Sequence, residues 1–121
     1  RKNIASIYNQ MIDSKIISKS ISEKISYSSN LRFPIFVENR NSLIKFLAQN
    51  QIFVSDIWYD AVVAPKKYLP QTDYLEQCPN AQLAADEILN LPTHINISLQ
   101  PRSGQAISDA QRIVNFLKQW R

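Results

Sequence analysis

Glycine is almost missing from this chain of 121 residues, which holds only Gly104. Loops that wrap a phosphate need glycine for close backbone approach and positive φ, so neither a P-loop nor a dinucleotide-binding fingerprint can be written here. Cysteine is equally scarce: a lone Cys78 excludes an internal disulfide. Together with a lone histidine, His94, it falls short of the three or four convergent ligands that a zinc or iron site requires. Long apolar runs are missing too. None approaches the roughly 18 residues that cross a bilayer, and the N-terminus lacks the basic-then-apolar layout of a signal peptide. These absences fit a soluble chain of a reducing compartment, which we read as cytoplasmic. The first residue is Arg1 rather than methionine, the expectation for a chain processed or cut from something longer.

What is present suffices for one folded unit. Hydrophobic residues make up 45% of the chain, enough for a single core over residues 1–121, and no internal repeat or second boundary interrupts it. The formal net charge of +4 raises the question of nucleic acid. Its distribution argues against that partner: Lys2, Lys15, Lys24, Lys66, Arg102 and Lys118 are spread along the chain, with no dense basic stripe and no interleaved stacking aromatics.

Ile4, Ile7, Tyr8, Met11 and Ile12 recur at helical spacing, so an amphipathic helix is predicted from Arg1 to about Ile16. Residues 13–24 are serine-rich and weakly patterned, open to an edge strand or a loop. Ile25, Tyr27, Leu31, Phe33, Ile35 and Val37 then alternate with polar residues as a half-buried strand, and Pro34 sets its amide side toward an edge. Asn41 is positioned to cap a helix over 42–50 with Leu43, Ile44 and Leu47 inward, before a short strand at Ile52–Ser55. The aromatic stretch Asp56–Gln77 predicts an ordered loop packed on something. Pro79 starts a helix with Ala81, Ala84, Ala85 and Ile88 inward, ending near Asn90 or Leu91. Ile95, Ile97 and Leu99 predict a last strand, followed by a turn at Pro101–Gln105. Ser108 and Gln111 form a capping box for a final helix with the stripe Ala110, Ile113, Val114, Leu117 and Trp120. The sum is an α+β two-layer domain: a small, mainly antiparallel or mixed sheet covered by helices.

Four segments together carry a family resemblance. RKNIASIYNQMI opens the chain and LRFPIFVENRNSLIKFLAQNQIFVSDIWYDAVVAP follows. CPNAQLAADEILNLPTHINIS at Cys78–Ser98 and SDAQRIVNFLKQW at Ser108–Trp120 close it. In this order they resemble the C-terminal part of the DegT/DnrJ/StrS family of sugar aminotransferases; only residues 13–24 match none of it. The resemblance implies the small C-terminal domain of a fold-type I aminotransferase that uses pyridoxal phosphate. It also implies a homodimer, and transfer of an amino group from a donor, typically glutamate, to a nucleotide-linked keto-sugar. In that family the Schiff-base lysine, the acidic partner of the pyridine nitrogen and the phosphate-binding groups lie on a large N-terminal domain. None of those motifs is found here, and Lys15, Lys19 and Lys24 lack the surroundings of the cofactor lysine. No catalytic or cofactor-binding residue is therefore assigned, and pyridoxal phosphate is expected in the intact parent rather than on this chain.

The candidate substrate-binding residues are Trp58, Tyr59, Lys66, Lys67 and His94. Trp58 and Tyr59 offer flat amphipathic rings suited to sugar faces, against the competing role of core or interdomain packing. Lys66 and Lys67 offer mobile charges for a diphosphate, against an ordinary solvated pair. His94, after Leu-Pro-Thr, is either a substrate contact or a structural histidine holding a turn. Cys78 precedes a helix and is expected to pack as a small hydrophobe. Two other readings stand beside the aminotransferase: a non-catalytic binding or scaffolding domain that retains the fold, and, more remotely, a nucleic-acid-binding module.

Overall fold

The computed structural model of the chain describes residues 1–54, 61–75, 77–94 and 105–120. Helix α1, Lys2–Met11, buries Ile4, Ala5 and Tyr8 on one face and leaves the polar face to water. It stops earlier than the predicted Ile16, because Ile12 turns extended and its N–H closes the last turn onto the Tyr8 carbonyl.

Residues 13–24 are neither strand nor loop. The Asp13 carboxylate accepts from the Lys15 N–H and starts a 3₁₀ turn at Ser14–Ile16. Helix α2, Lys19–Lys24, follows. Ile17, Ile21 and Ile25 lie four apart, and all three pack into or against the core, while Ser20 is exposed and the Ser22 hydroxyl donates to the Asn9 side chain of α1. A four-residue spacing belongs to a helix, and no alternation competes with it.

The predicted strand from Ile25 shrinks to β1, Arg32–Phe36. Asn30 breaks it: its backbone is left-handed at φ 49, and its buried side-chain amide donates to the carbonyls of Ile25 and Ser28. Upstream of that turn Tyr27 is 91% exposed, so its alternation with Ile25 has no sheet to serve.

Helix α3, Arg40–Gln49, has Asn39 rather than Asn41 at its cap position, with no side-chain capping bond, and buries Leu43 and Leu47. It ends in a Schellman motif. Gln51 is left-handed at φ 61, its N–H reaches the Ala48 carbonyl, and the Ile52 N–H reaches that of Leu47. Ile52 is buried as the apolar closure of that motif, so residues 52–54 form no strand. In the following loop Lys66–Gln71 forms a 3₁₀ helix.

Helix α4, Pro79–Glu87, opens with its proline in the first turn, as the sequence predicts. It ends before the predicted Asn90 or Leu91, and Ile88 leaves it for strand β2, Ile88–Pro92. β2 runs antiparallel to β1, pairing Phe33 with Leu91 and Ile35 with Leu89; all four side chains are buried on one face. The Val37 N–H donates to the Glu87 carbonyl, which sets the alternation of the ladder. Pro34 thereby falls opposite Asn90 at a pair that exchanges no backbone hydrogen bonds, with its nitrogen turned away from β2. The missing N–H costs the ladder nothing. The predicted strand at Ile95–Leu99 and the turn after it lie outside the described residues.

Helix α5, Gln105–Gln119, carries the predicted stripe: Ala110, Ile113 and Val114 are buried, with Leu117 and Trp120 packed at the edge of the core. Ser108 lies inside this helix rather than at its cap. α1 packs along α5 and against β1, and α4 also touches β1. The architecture is α+β, with helices over a two-stranded antiparallel sheet among the described residues.

Candidate functional site

Polar side chains reach buried or half-buried backbone carbonyls at both ends of β2. At its start, Arg40 is buried and its Nη1 donates to the carbonyls of Ala85 at 2.6 Å and Ile88 at 3.0 Å. Helix α4 ends there, leaving carbonyls without intrahelical partners, and the one guanidinium nitrogen meets two carbonyls at once. At the other end the Tyr8 hydroxyl donates to the Pro92 carbonyl at 2.9 Å. One residue on, the fully buried Thr93 hydroxyl lies 2.5 Å from the Asn30 carbonyl and 2.9 Å from that of Leu31, sharing its proton between them. Arg40, Tyr8 and Thr93 thus tie β2 to α1 and to the segment entering β1.

His94 emerges from this clamped end. It is half-buried, and its Nδ1 is sealed from solvent without a hydrogen-bond partner. Buried polar atoms are paired in the great majority of cases, so this ring nitrogen is an exception to the rule. The Tyr74 hydroxyl is a second buried polar atom in that condition.

The two lysines occupy different ground. Lys66 opens the 3₁₀ helix, and its Nζ stands 3.6 Å from the Asp86 carboxylate of α4, with both side chains exposed. It lines a shallow groove of about 260 Å³ with residues 38–42 at the start of α3. Lys67 turns instead to the Tyr68 ring, 4.6 Å from its centroid. Lys66 is tied to the residues just before β2 and His94 lies just beyond its far end, and the intervening five-residue strand spans about 17 Å. The structure therefore does not gather Lys66 and His94 into one pocket. Trp58 and Tyr59 lie outside the described residues.

Sequence reasoning missed Arg40, Tyr8, Asn30 and Thr93 as organisers of this region. Arg40 had a legible signal, a basic residue at the start of a helix where the dipole disfavours it, which implies partners elsewhere. Thr93 and Asn30 had none, since their partners lie 62 and 63 residues away in one case and in a local turn in the other. Cys78 corrects the packing expectation: it is exposed, at the cap position of α4, and its side chain makes no capping bond.

Every lysine of the chain is exposed, and no group of three or more potential metal ligands occurs among the described residues. A lysine that carries a carbonyl cofactor is commonly activated by burial in an apolar pocket, and no lysine here is buried. No described helix is long and apolar enough to cross a membrane.

Among models of protein families, that of the DegT/DnrJ/EryC1/StrS aminotransferase family matches residues 1–108. No curated protein and no solved structure matches the chain.

Proposed function

Because the chain belongs to the DegT/DnrJ/EryC1/StrS aminotransferase family, we propose that it is the C-terminal domain of a pyridoxal-phosphate-dependent enzyme acting on a nucleotide-linked keto-sugar. The amino group comes from an amino acid, glutamate first. The chain's own residues do not fit the cofactor, since no lysine is buried and the one glycine cannot build a phosphate loop. In this reading a larger domain of the same polypeptide holds cofactor and catalytic lysine, in a cytoplasmic homodimer, and this chain closes one side of the substrate cleft.

The observation that carries the cleft-closing role is His94. The ring stands on backbone fixed by Tyr8 and Thr93, and its solvent-facing part, rather than the sealed Nδ1, can meet a sugar hydroxyl or a phosphate without first being ordered. Lys66 and Lys67 supply charge from the other end of β2, and Trp58 and Tyr59 supply rings for the sugar face.

The test is an amino-transfer assay on the polypeptide that continues this chain upstream, with glutamate and a nucleotide-linked keto-sugar. His94→Ala is expected to raise KM for the sugar about tenfold, the worth of one hydrogen bond to a charged or strongly polar group, and to leave the glutamate half-reaction unchanged. An unchanged KM removes His94 from the cleft. An upstream sequence without a cofactor-binding domain overturns the enzyme and leaves the binding or scaffolding domain in its place.

A further inference from the structure

A second cleft, of about 410 Å³, opens where the two strands meet the ends of three helices. Phe36 and Val37 at the end of β1 line it, Trp120 just past α5 forms one wall, and Glu38, Glu87 and Lys15 stand around it. Its lining holds two carboxylates and one ammonium, in a chain whose net charge is +4. Neither carboxylate makes a hydrogen bond or ion pair with a described residue.

Glu87 is the telling member. It is half-buried beside aromatic and aliphatic side chains, and no cation among the described residues stands within ion-pair distance of its carboxylate. Glu38 precedes the start of α3, where the helix dipole favours a negative charge. An anionic ligand meets two carboxylates here, and a purely apolar one leaves Glu87 less hydrated still. An ammonium group on an apolar body answers both features: the charge faces Glu38 and Glu87, and the body lies on the Trp120 and Phe36 rings, whose faces attract a cation in addition.

We propose that this cleft is a binding site for a small organic ammonium compound, held by Glu87 and Glu38 against Trp120. The site does not involve His94, which lies at the other end of β2, and it shares Glu38 and Asn39 with the groove that Lys66 lines.

The experiment titrates benzylammonium into the chain and follows the indole N–H resonance of Trp120, identified by its loss in Trp120→Phe. Benzyl alcohol and benzoate serve as neutral and anionic probes of the same shape. Saturable movement with benzylammonium at millimolar concentration is expected, with little or none for the other two. Glu87→Gln should weaken the interaction about tenfold, the scale of one charge-assisted hydrogen bond, and Lys15→Met should tighten it by removing a like charge. Should Glu87→Gln fail to fold, Glu38→Gln takes its place with a smaller loss expected. No movement at Trp120, an equal response to benzyl alcohol, or a preference for benzoate overturns the proposal.

Discussion

Tyr8 and Pro92 meet across 84 positions of sequence, the Tyr8 hydroxyl donating to the Pro92 carbonyl at 2.9 Å. The bond fixes the end of β2 against α1, and it places a phenol in the core. Burial, with the negative charge of Asp109 as a lesser cause, holds that phenol well above its ordinary value of 10.0.

An alkaline instability follows from this. Above about pH 10 the unfolded chain gives up the Tyr8 proton while the folded chain keeps it, so the unfolded state binds fewer protons and stability falls as pH rises. The fall is about 1.4 kcal/mol per pH unit until the folded group itself ionises. Tyr8→Phe should cost about 1 kcal/mol at neutral pH through the lost hydrogen bond, and should show a shallower alkaline limb than the parent. Urea unfolding at a series of pH values measures both; parallel limbs would remove Tyr8 as the cause.

Arg40 is the corresponding clamp at the start of β2. Arg40→Met keeps apolar contact and strands the Ala85 and Ile88 carbonyls, for an expected loss of about 2 to 3 kcal/mol. Arg40→Lys should recover less than half, because an ammonium is more strongly hydrated than a guanidinium and costs more to bury. Urea midpoints decide it, and equal stability of the Lys variant and the parent would contradict the need for a guanidinium here.

Thr93→Val conserves shape and removes only the hydroxyl shared between Asn30 and Leu31. The expected cost is about 1 to 2 kcal/mol, with Thr93→Ser close to the parent. A neutral Thr93→Val in the same melts would mean the two carbonyls find other partners.

The core and its margin should respond in opposite ways. Leu89→Ala, fully buried against Ile35, is expected to cost about 2 to 5 kcal/mol. Tyr27→Ser, at a side chain 91% exposed, should stay within about 0.5 kcal/mol.

The helices were legible where one face is continuous. Ile4 and Tyr8, Leu43 and Leu47, and Ile113 and Val114 mark α1, α3 and α5, because a 3.6-residue period needs no partner to be seen. Boundaries failed where a long-range or special bond decides them. Nothing local says that Asn30 turns left-handed, that Gln51 closes a Schellman motif, or that Arg40 takes the carbonyls around Ile88 and so releases Leu89 and Leu91 into a strand. The isoleucines at 17, 21 and 25 were readable as a helix face, and the serines between them hid it. For the candidate site, the residue types were legible and their placement was not: the distance between Lys66 and His94 depends on β2, which the sequence reads as the end of a helix.

The central claim is that this chain is an aminotransferase-family domain whose catalytic lysine lies on another domain. The most direct measurement adds pyridoxal phosphate to the chain, reduces with borohydride, and reads the absorbance of the trapped adduct together with its mass. The account predicts no stoichiometric, site-specific adduct, because every lysine is exposed and none stands in a buried pocket. One cofactor trapped per chain on a single lysine would contradict it.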